Sequence, residues 1–251
     1  MEKISRKSFV KGALGLGLTG VLAGCASSAS STAAPAEKKQ FTFADTVRWD
    51  AQYDVVVMGM GAAGMVAAKT AADNGAKVVI VEKCEEGKAG GNTKVCGQLF
   101  AYANGDKDAA KSYYTALAGG RDIEPEIIDA ISEGVANMAD ILADEFGFNK
   151  DEYMDWTGVN VGGTNMGAMS PEYPEMPGHE KMALWTTHKG ASDGYLYQGL
   201  KQNVTDRVDA IDVWYSSPAK SLIQDPVTKT VVGVTVERDG KEMNIRALNG
   251  V

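Results

Sequence analysis

Apolar residues fall into short, sharply bounded runs along the chain, and each run predicts one element of regular structure. Residues 54–58 (DVVVM) form a continuous run rich in valine, which is typical of a parallel strand that is buried on both faces. Residues 62–74 are rich in alanine, a strong helix former, and Gly75 follows at the position of a helix C-cap. Residues 77–82 (KVVIVE) predict a second buried strand. These runs together predict a β-α-β unit of about 30 residues.

Two further helices are predicted from longer periodicities. After Pro125, an apolar residue recurs every three or four positions, which is the stripe of an amphipathic helix that ends near Gly147. We expect this stripe in the core; its members are Ile127, Ile131, Val135, Met138 and Leu142. Ser192 is expected to cap the second helix. The apolar face of that helix consists of Leu196, Leu200 and Val204.

The remaining C-terminal runs predict strands. Apolar alternation or β-branched residues mark segments 211–215, 220–224, 230–237 and 241–247. Asp239-Gly240 joins the last two as a hairpin, because this dipeptide favours a tight turn. We therefore expect a β-layer at this end of the chain.

The turn after the first predicted strand is Gly59-Met60-Gly61-Ala62-Ala63-Gly64, a G-x-G-x-x-G arrangement. Gly59 allows the tight turn, Gly61 lets the backbone approach a pyrophosphate, and Gly64 lets helix and strand pack closely. The phosphate would lie at the helix N-terminus, where free N–H groups and the helix dipole favour an anion. Glu82 follows 23 residues after Gly59, at the end of the second strand, where it can accept hydrogen bonds from an adenosine ribose. This context predicts a dinucleotide-binding site.

Composition narrows the class of protein. The chain has 251 residues and a mass of 26.5 kDa; 44% of the residues are apolar and 23% are charged, so it is neither disordered nor a multispan membrane protein. Lys and Arg number 25 against 33 Asp and Glu, and a net charge of −8 lacks the basic surface that nucleic acid binding needs. The 3 cysteines form no C-x-x-C or C-x-x-C-H, so neither a zinc ribbon nor covalent haem is encoded. We expect no metal site, and we expect Cys84 and Cys96 to be free, buried thiols.

The N-terminus predicts export. A basic start and a short, weakly apolar, glycine-rich stretch make residues 1–24 resemble a signal peptide, and this stretch is too short to span a bilayer permanently. Residues 5–11 (SRKSFVK) resemble a twin-arginine signal with lysine in place of the second arginine, and residues 22–25 (LAGC) resemble the lipobox of bacterial lipoproteins. We therefore expect a lipid anchor on Cys25 and a flexible tether over residues 25–50; the alternative is an ordinary signal peptide cleaved near Cys25. The expected location is the outer side of the cell membrane or the periplasm.

The residues after the second strand decide which dinucleotide is expected. A nicotinamide-binding domain usually continues into another helix, whereas residues 87–98 form a glycine-rich stretch that is able to wrap a pyrophosphate and ribityl chain. The sequence here resembles the flavoprotein subunits of fumarate reductases and succinate dehydrogenases, in the branch that includes soluble fumarate reductases, urocanate reductases and ketosteroid dehydrogenases. The residues that carry the resemblance are Glu82-Lys83, Gly90-Gly91-Asn92-Thr93 and Gly97, followed by residues 119–125 (GGRDIEP) at the start of the next helix. One departure is Gln98, which stands where a second glycine is common.

The resemblance covers residues 52–251, is strongest over residues 54–98, and implies FAD as the cofactor. It implies a Rossmann-like α/β FAD-binding domain that has a partly parallel sheet, an additional β-layer and a partial capping region. The cofactor-binding residues that it implies are Gly59, Gly61, Ala62, Ala63, Gly64, Glu82, Lys83, Gly91, Asn92, Thr93, Gly97 and Gln98. It also implies that the β-layer lies over the adenosine end of FAD, with backbone near Ala219 and Lys220 facing the adenine.

The activity implied by the resemblance is the reduction of a carbon-carbon double bond in a small organic acid or similar acceptor, by hydride from reduced FAD. In that family the proton donor and the substrate clamp lie beyond the positions matched here, so we assign no catalytic residue and expect the chain to be the N-terminal half of a longer protein. With no haem motif, electrons are expected from a separate donor protein or domain. Two other interpretations stay open: an NAD-dependent dehydrogenase, and a non-enzymatic flavin-binding lipoprotein that relays electrons.

Residues 148–190 are punctuated by glycine and proline and are rich in methionine and aromatic residues. A loop this long is usually functional or disordered, and methionine adapts to apolar ligands, so a substrate-facing cap and a surface insertion both remain open. The chain's 2 histidines, His179 and His188, fall here, and histidine handles protons near neutral pH, but neither is assigned as catalytic. The predicted organisation is a signal at 1–24, a tether at 25–50, the N-terminal part of the FAD-binding domain at 51–147, the loop-rich segment at 148–190, and a helix with the β-layer at 191–251.

Overall fold

The computed structural model describes residues 41–157, 159–161, 164–165, 173–190 and 192–251. Within these residues the helices are α1 (Ala62–Asp73), α2 (Gly91–Val95), α3 (Lys107–Leu117), α4 (Pro125–Phe146) and α5 (Tyr195–Thr205). The strands are β1 (Ala51–Met58), β2 (Val78–Val81), β3 (Phe100–Tyr102), β4 (Met154–Asp155), β5 (Asn160–Val161), β6 (Thr164–Asn165), β7 (Ala183–Thr186), β8 (Ile211–Trp214), β9 (Ala219–Gln224), β10 (Val231–Arg238) and β11 (Lys241–Gly250). The predicted signal peptide, the lipobox and most of the tether lie outside the described residues.

A six-stranded sheet with the order β8-β2-β1-β11-β10-β9 organises the molecule. Strands β8, β2, β1 and β11 run parallel, with Val55 beside Val78 and Ile80 beside Val213. β2 lies between two parallel neighbours and is buried along its whole length, which explains its unbroken run of β-branched residues. The predicted β-α-β unit is confirmed, and its topology brings the glycine turn and Glu82 to the same carboxyl edge of the sheet.

The antiparallel strands β10 and β9 continue the sheet beyond β11. β11 serves both parts, because Ile245 pairs with Ala51 of β1 and also with Val234 of β10. This antiparallel part contributes to a buried cluster with one face of the parallel strands; its members are Val56, Val79, Val81, Val234, Val236, Ile245 and Ala247. The predicted β-layer is therefore present, but it is hydrogen-bonded into the main sheet through one shared strand. The segment predicted at 211–215 belongs to the parallel part, as β8.

Helices α1 and α5 cover the opposite face of the parallel strands. The buried side chains there include Met65 and Ala68 of α1 and Leu200 and Val204 of α5. The two helices are also tied at one end, where Nε of Arg207 lies 2.5 Å from Oδ1 of Asp73. The predicted apolar face of α5 is confirmed, since Leu196 also packs against this cluster.

α4 begins at Pro125. Proline lacks an N–H, but in the first turn of a helix an N–H would have no partner within the helix, so no helix hydrogen bond is lost. α4 ends before Gly147, whose φ of +76° closes the helix as expected. The face that it buries differs from the expected stripe, because Ile127 and Ile131 stay 39% and 41% exposed. The later part of the predicted stripe is in the core: Val135 and Leu142 are buried, and Met138 packs against the core cluster. The other buried residues of α4 are Ile128, Ser132, Ala136, Ala139 and Phe146. Small residues in this set carry little hydrophobic signal, although they allow close packing.

The predicted N-cap at Ser192 is wrong. α5 begins at Tyr195, and its N-cap is Gly194, which has a φ of +78°. Asp193 supplies the local acceptor, because its Oδ1 lies 3.1 Å from the backbone N of Tyr195. Ser192 precedes this turn with a left-handed φ of +60°.

Part of the loop-rich segment 148–190 forms strands against the main domain. β7 pairs with β3 and with β4, so that Phe100 lies beside Trp185 and Met154 lies beside Thr186. The boundaries of this segment as a separate domain stay a prediction. In the part of the chain that the structure describes, no helix combines the length and the apolar character that crossing a membrane requires.

Candidate functional site

The glycine turn after β1 has the geometry that its sequence predicts. Gly59 has a φ of +97°, which glycine adopts without strain. A Cβ on Gly64 would lie 2.0 Å from the carbonyl oxygen of Gly59, so only glycine allows this contact between helix and turn. Gly61 is the N-cap of α1. Ala62, Ala63 and Gly64 form the first helical turn, where N–H groups have no partner within the helix. The N–H of Ala62 donates to Thr93, so the N–H groups of Ala63 and Gly64 are the ones that can bind an anion.

Glu82 lies directly after β2, and only 6% of its surface is exposed. Its Oε2 accepts a hydrogen bond from the backbone N–H of Met60 at 2.8 Å, and its Oε1 accepts one from that of Cys84 at 2.9 Å. The segment after β8 holds the backbone of Glu82, whose carbonyl accepts a hydrogen bond from the N–H of Ser217 at 2.8 Å. The acid is therefore fixed beside the glycine turn, while Lys83 is exposed at the surface.

Thr93 joins the predicted cofactor loop, residues 87–98, to the start of α1. Its Oγ1 accepts a hydrogen bond from the N–H of Ala62 at 2.9 Å. The preceding glycines, Gly90 and Gly91, have φ values of +119° and +54°, which turn the chain into the short helix α2. Asn92 is exposed at the start of this helix. The structure thus places Gly90 and Thr93 beside the glycine turn, with Gly91 and Asn92 between them in the same loop.

Gln98 ends the loop and is almost completely buried, with 1% of its surface exposed. Its φ of +64° is the left-handed conformation that glycine favours, which agrees with glycine being common at this position. Its Nε2 donates to the carbonyl of Thr93 at 2.6 Å, and its Oε1 accepts from the N–H of Tyr197 at 3.2 Å. The carbonyl of Gly97 accepts a hydrogen bond from the N–H of Ser192 at 3.3 Å. The amide of Gln98 is therefore directed into the protein.

Tyr197 is a neighbour of this loop that the sequence analysis missed. A Cβ on Gly90 would lie 2.5 Å from Cε2 of Tyr197, so the ring packs directly on the glycine. Burial raises the pKa of the Tyr197 hydroxyl, and the carboxylates of Glu82 and Glu86 add to the shift. No local sequence pattern indicates this contact, because Tyr197 is distant from Gly90 in sequence and is one of several residues on the apolar side of α5.

The two histidines occupy different settings. Nε2 of His188 lies 2.6 Å from Oδ2 of Asp193, and its ring stacks on that of Tyr195 at 4.1 Å between centroids. Nδ1 of His179 lies 3.0 Å from the carbonyl oxygen of Met176 in a separate turn. The structure gives neither histidine a contact with residues 59–64 or with Glu82.

The described cysteines, Cys84 and Cys96, are not part of a further centre. Cys84 and Cys96 are free, as expected, but Cys96 is exposed, so the prediction that both are buried is wrong. Across the described ranges, no group of His, Cys, Asp and Glu side chains is arranged to hold a metal ion.

One cavity lies away from the glycine turn. It is an open groove of about 940 Å³ that includes Asp73, at the opposite end of α1, together with Phe148 and Arg207. Its walls carry several carboxylates and amides, and two pairs of lining side chains bind each other: Asp73 with Arg207, and Gln202 with Asp206. It therefore shows no arrangement that would bind a dinucleotide.

Comparison with known proteins decides the cofactor. The family model described as "FAD binding domain" matches residues 54–251, which is most of the chain. The chain belongs to the FAD-binding domain family. FAD binding, predicted from residues 59–98, is thereby confirmed, and this match argues against the alternative of an NAD-dependent dehydrogenase.

Individual members of the family show similar sequences. NADH:fumarate oxidoreductase of Klebsiella pneumoniae (strain 342) is 30% identical over 201 residues, which cover 76% of this chain and 19% of that protein. Digoxin reductase of Eggerthella lenta is 42% identical over 102 residues, covering 38% of this chain and 18% of that protein. The chain thus spans about a fifth of the length of these relatives.

Solved structures confirm the FAD-binding fold. The 3-ketosteroid delta1-dehydrogenase of Sterolibacterium denitrificans superposes with a TM-score of 0.63 at 19% identity, covering 78% of this chain and 46% of that one. The open conformation of a flavocytochrome c3 fumarate reductase gives a TM-score of 0.60 at 19% identity, covering 81% of this chain and 33% of that one. The predicted resemblance to fumarate reductases and ketosteroid dehydrogenases is confirmed.

The residues of the FAD-binding domain fit their cofactor. Gly59 and Gly64 are in close contact and carry no side chains, so none covers the turn there. The first turn of α1 offers N–H groups to the pyrophosphate. Each oxygen of Glu82 already accepts one backbone hydrogen bond, and a carboxylate oxygen has capacity for a second, from a ribose hydroxyl.

Proposed function

We propose that this chain forms the FAD-binding part of an oxidoreductase that reduces a carbon-carbon double bond in a small organic acid or a related acceptor. The observation that carries the proposal is the glycine turn held against the buried carboxylate of Glu82, in a chain of the FAD-binding domain family. The names of relatives support a reductase, and they include two small unsaturated acids: fumarate, and acrylate in the acrylate reductase flavoprotein subunit of Shewanella woodyi. This acrylate reductase subunit is 34% identical over 136 residues, covering 51% of this chain and 24% of that protein.

The residues described here bind and orient the cofactor. Gly61 and the first turn of α1 would hold the pyrophosphate, and Glu82 would hold the adenosine ribose. Thr93 fixes the loop beside α1, and the loop would hold the ribityl chain. When bound, FAD supplies the hydride chemistry, and the protein supplies position and electrostatics. We assign no catalytic residue within residues 41–251.

The cofactor is tested first by purifying the protein without residues 1–25. The expected result is a yellow protein that has flavin absorption bands and releases FAD, identified by mass spectrometry. Added FAD should also raise the melting temperature of the cofactor-free protein, since a ligand that binds only the folded state stabilises it. A colourless protein that NAD stabilises and FAD does not would overturn the proposal.

The reaction is tested with the complete protein, fumarate and acrylate as acceptors, and a reduced dye as the electron source. We expect at least one of the two acids to reoxidise the dye in proportion to the amount of bound FAD. Bound FAD without turnover of either acid would favour the second candidate, a flavin protein that relays electrons. Substitution of Glu82 then separates loss of cofactor from loss of turnover.

We further propose that the protein is exported, anchored by lipid at Cys25 and reduced by a separate donor protein. The basic residues followed by the sequence LAGC at 22–25 support this proposal. Cys25→Ser should move the protein from the membrane fraction to the soluble fraction, whereas Ser27→Ala should not. Recovery of both variants in the membrane fraction would contradict a lipid anchor at Cys25.

A further inference from the structure

The end of the cofactor loop contains a buried polar side chain whose hydrogen bonds reach two separate elements. Gln98 lies between α2 and β3 with 1% of its surface exposed. Its backbone is left-handed, with a φ of +64°, a conformation that strains any residue other than glycine. Glycine would adopt the same backbone without strain, so what this glutamine adds lies in its side chain.

The hydrogen bonds of the Gln98 amide define that role. Nε2 donates to the carbonyls of Thr93, at 2.6 Å, and Cys96, at 3.2 Å, which fixes the loop onto itself. Oε1 accepts from the N–H of Tyr197, which is 99 residues away along the chain. Tyr197 is the third residue of α5, where an N–H has no partner within the helix, so Gln98 caps this helix from outside.

The contacts around Gln98 extend this connection in both directions. Thr93 accepts a hydrogen bond from the N–H of Ala62 at 2.9 Å, so the loop is tied to the first turn of α1. On the other side, the ring of Tyr197 packs directly against Gly90. A continuous set of contacts therefore runs from the start of α1, through the loop, to the start of α5.

We propose that Gln98 is a positioning residue that joins the cofactor loop to α5, and that this junction holds the loop ready to bind FAD. The inference rests on the proposed FAD site. It differs from direct contact with the cofactor, because both ends of the amide already bind the protein. A loop that is held in its binding conformation loses less conformational freedom when the ligand binds, so affinity rises.

Two substitutions test the junction. Gln98→Gly relaxes the backbone and removes the side chain, while Gln98→Met keeps the size and removes the hydrogen bonds. We expect each variant to bind FAD about tenfold more weakly, which corresponds to about 1.4 kcal/mol. Titration of the cofactor-free chain with FAD gives the dissociation constant, and visible circular dichroism of the bound flavin should change because the loop no longer fixes its surroundings. Lys229→Gly is the matched control: Lys229 is also left-handed, with a φ of +62°, but it is exposed in the turn between β9 and β10.

The outcomes separate this inference from the proposed function. The positioning role is overturned if wild type binds FAD and a folded Gln98 variant has the same affinity and the same flavin dichroism as wild type. If Gln98→Gly fails to fold, Gln98→Met decides, because it leaves the backbone unchanged. Failure of wild type itself to bind FAD would contradict the proposed function instead.

Discussion

Glu82 and Met60 are joined across the carboxyl edge of the sheet by a hydrogen bond of 2.8 Å from the Met60 N–H to Oε2. The other carboxylate oxygen accepts the N–H of Cys84. The acid therefore braces the glycine turn even before a ribose binds to it. This gives Glu82 two roles, one in the stability of the turn and one in cofactor binding, which different substitutions can separate.

Glu82→Ala should lower both stability and affinity. It leaves the N–H groups of Met60 and Cys84 without an acceptor, and one unsatisfied buried group costs about 1–3 kcal/mol. Urea unfolding of the cofactor-free chain should show a loss of at least this size, and FAD titration should show weaker binding. Glu82→Gln keeps one acceptor oxygen, so its loss of stability should be smaller.

The control for Glu82 is Glu85→Gln. The Glu85 side chain is 62% exposed and pairs with Lys88 at the surface. Surface pairs contribute little, so neither the unfolding midpoint nor FAD binding should change measurably. Equal effects of the substitutions at Glu82 and Glu85 would show that general charge, and not the brace, determines binding.

Gly64→Ala should destabilise the chain strongly. The new Cβ would lie 2.0 Å from the Gly59 carbonyl oxygen and 3.3 Å from Cγ1 of Val57, so α1 would have to move away from β1. Overpacking of this kind costs about 1–3 kcal/mol, measured as a lower urea midpoint. FAD affinity should fall as well, because the first turn of α1 moves with the helix.

A glycine-to-alanine substitution in α4 should instead stabilise the chain. Gly134 has nothing within 4 Å of its missing Cβ, and alanine is the better helix former. Gly134→Ala should raise the unfolding free energy by about 0.5–1 kcal/mol. A stabilising effect at both glycines would contradict the close contact between Gly64 and Gly59.

The parts of the fold that the sequence predicts are those set by local pattern. The valine runs, the alanine-rich helix and three glycines specify the β-α-β unit over residues 51–82, because buried parallel strands need apolar residues on both faces. Glu82 also reaches its predicted place, since the end of β2 lies beside the end of β1 in any such unit.

The missed features depend on residues that are distant in sequence. The pairing of Phe100 with Trp185 joins two strands of three and four residues, which are too short to show a period. The bond between Gln98 and Tyr197 exists only after both segments have packed. Ser192 is a good capping residue, but Gly194 allows a left-handed turn two residues later, and the helix begins there.

Arg238→Gln should weaken the junction between the antiparallel and parallel strands. The guanidinium lies 4.3 Å from the ring centre of Trp214, and cation-π contacts contribute about 0.5–1 kcal/mol at exposed sites. The urea midpoint should fall accordingly. Lys241→Gln, at the exposed start of β11, is the control and should leave the midpoint unchanged. A loss no larger than that of the control would show that the apolar cluster alone holds the junction.

Stability should decrease in alkaline solution because of two half-buried tyrosines. Burial raises the pKa of Tyr153 to about 12, and burial together with the Asp212 carboxylate raises that of Tyr53. In the unfolded chain the pKa of tyrosine is about 10, so the native state holds these protons more tightly. The resulting stabilisation is fully present below pH of about 10 and is lost as the pH rises through the native pKa values. The unfolding free energy should therefore be lower when it is measured above pH of about 10 than when it is measured below it.

Tyr153→Phe identifies one source of that dependence. The phenyl ring keeps the edge contact with Phe100, whose centroid lies 6.0 Å away, and removes only the ionisable hydroxyl. The variant should lose less stability than wild type between neutral and alkaline pH, although it forfeits the hydrogen bond to the Ala139 carbonyl at every pH. Identical slopes of unfolding free energy against pH for the variant and wild type would exclude Tyr153 as a contributor. The pH dependence would then be assigned to Tyr53 and tested with Tyr53→Phe.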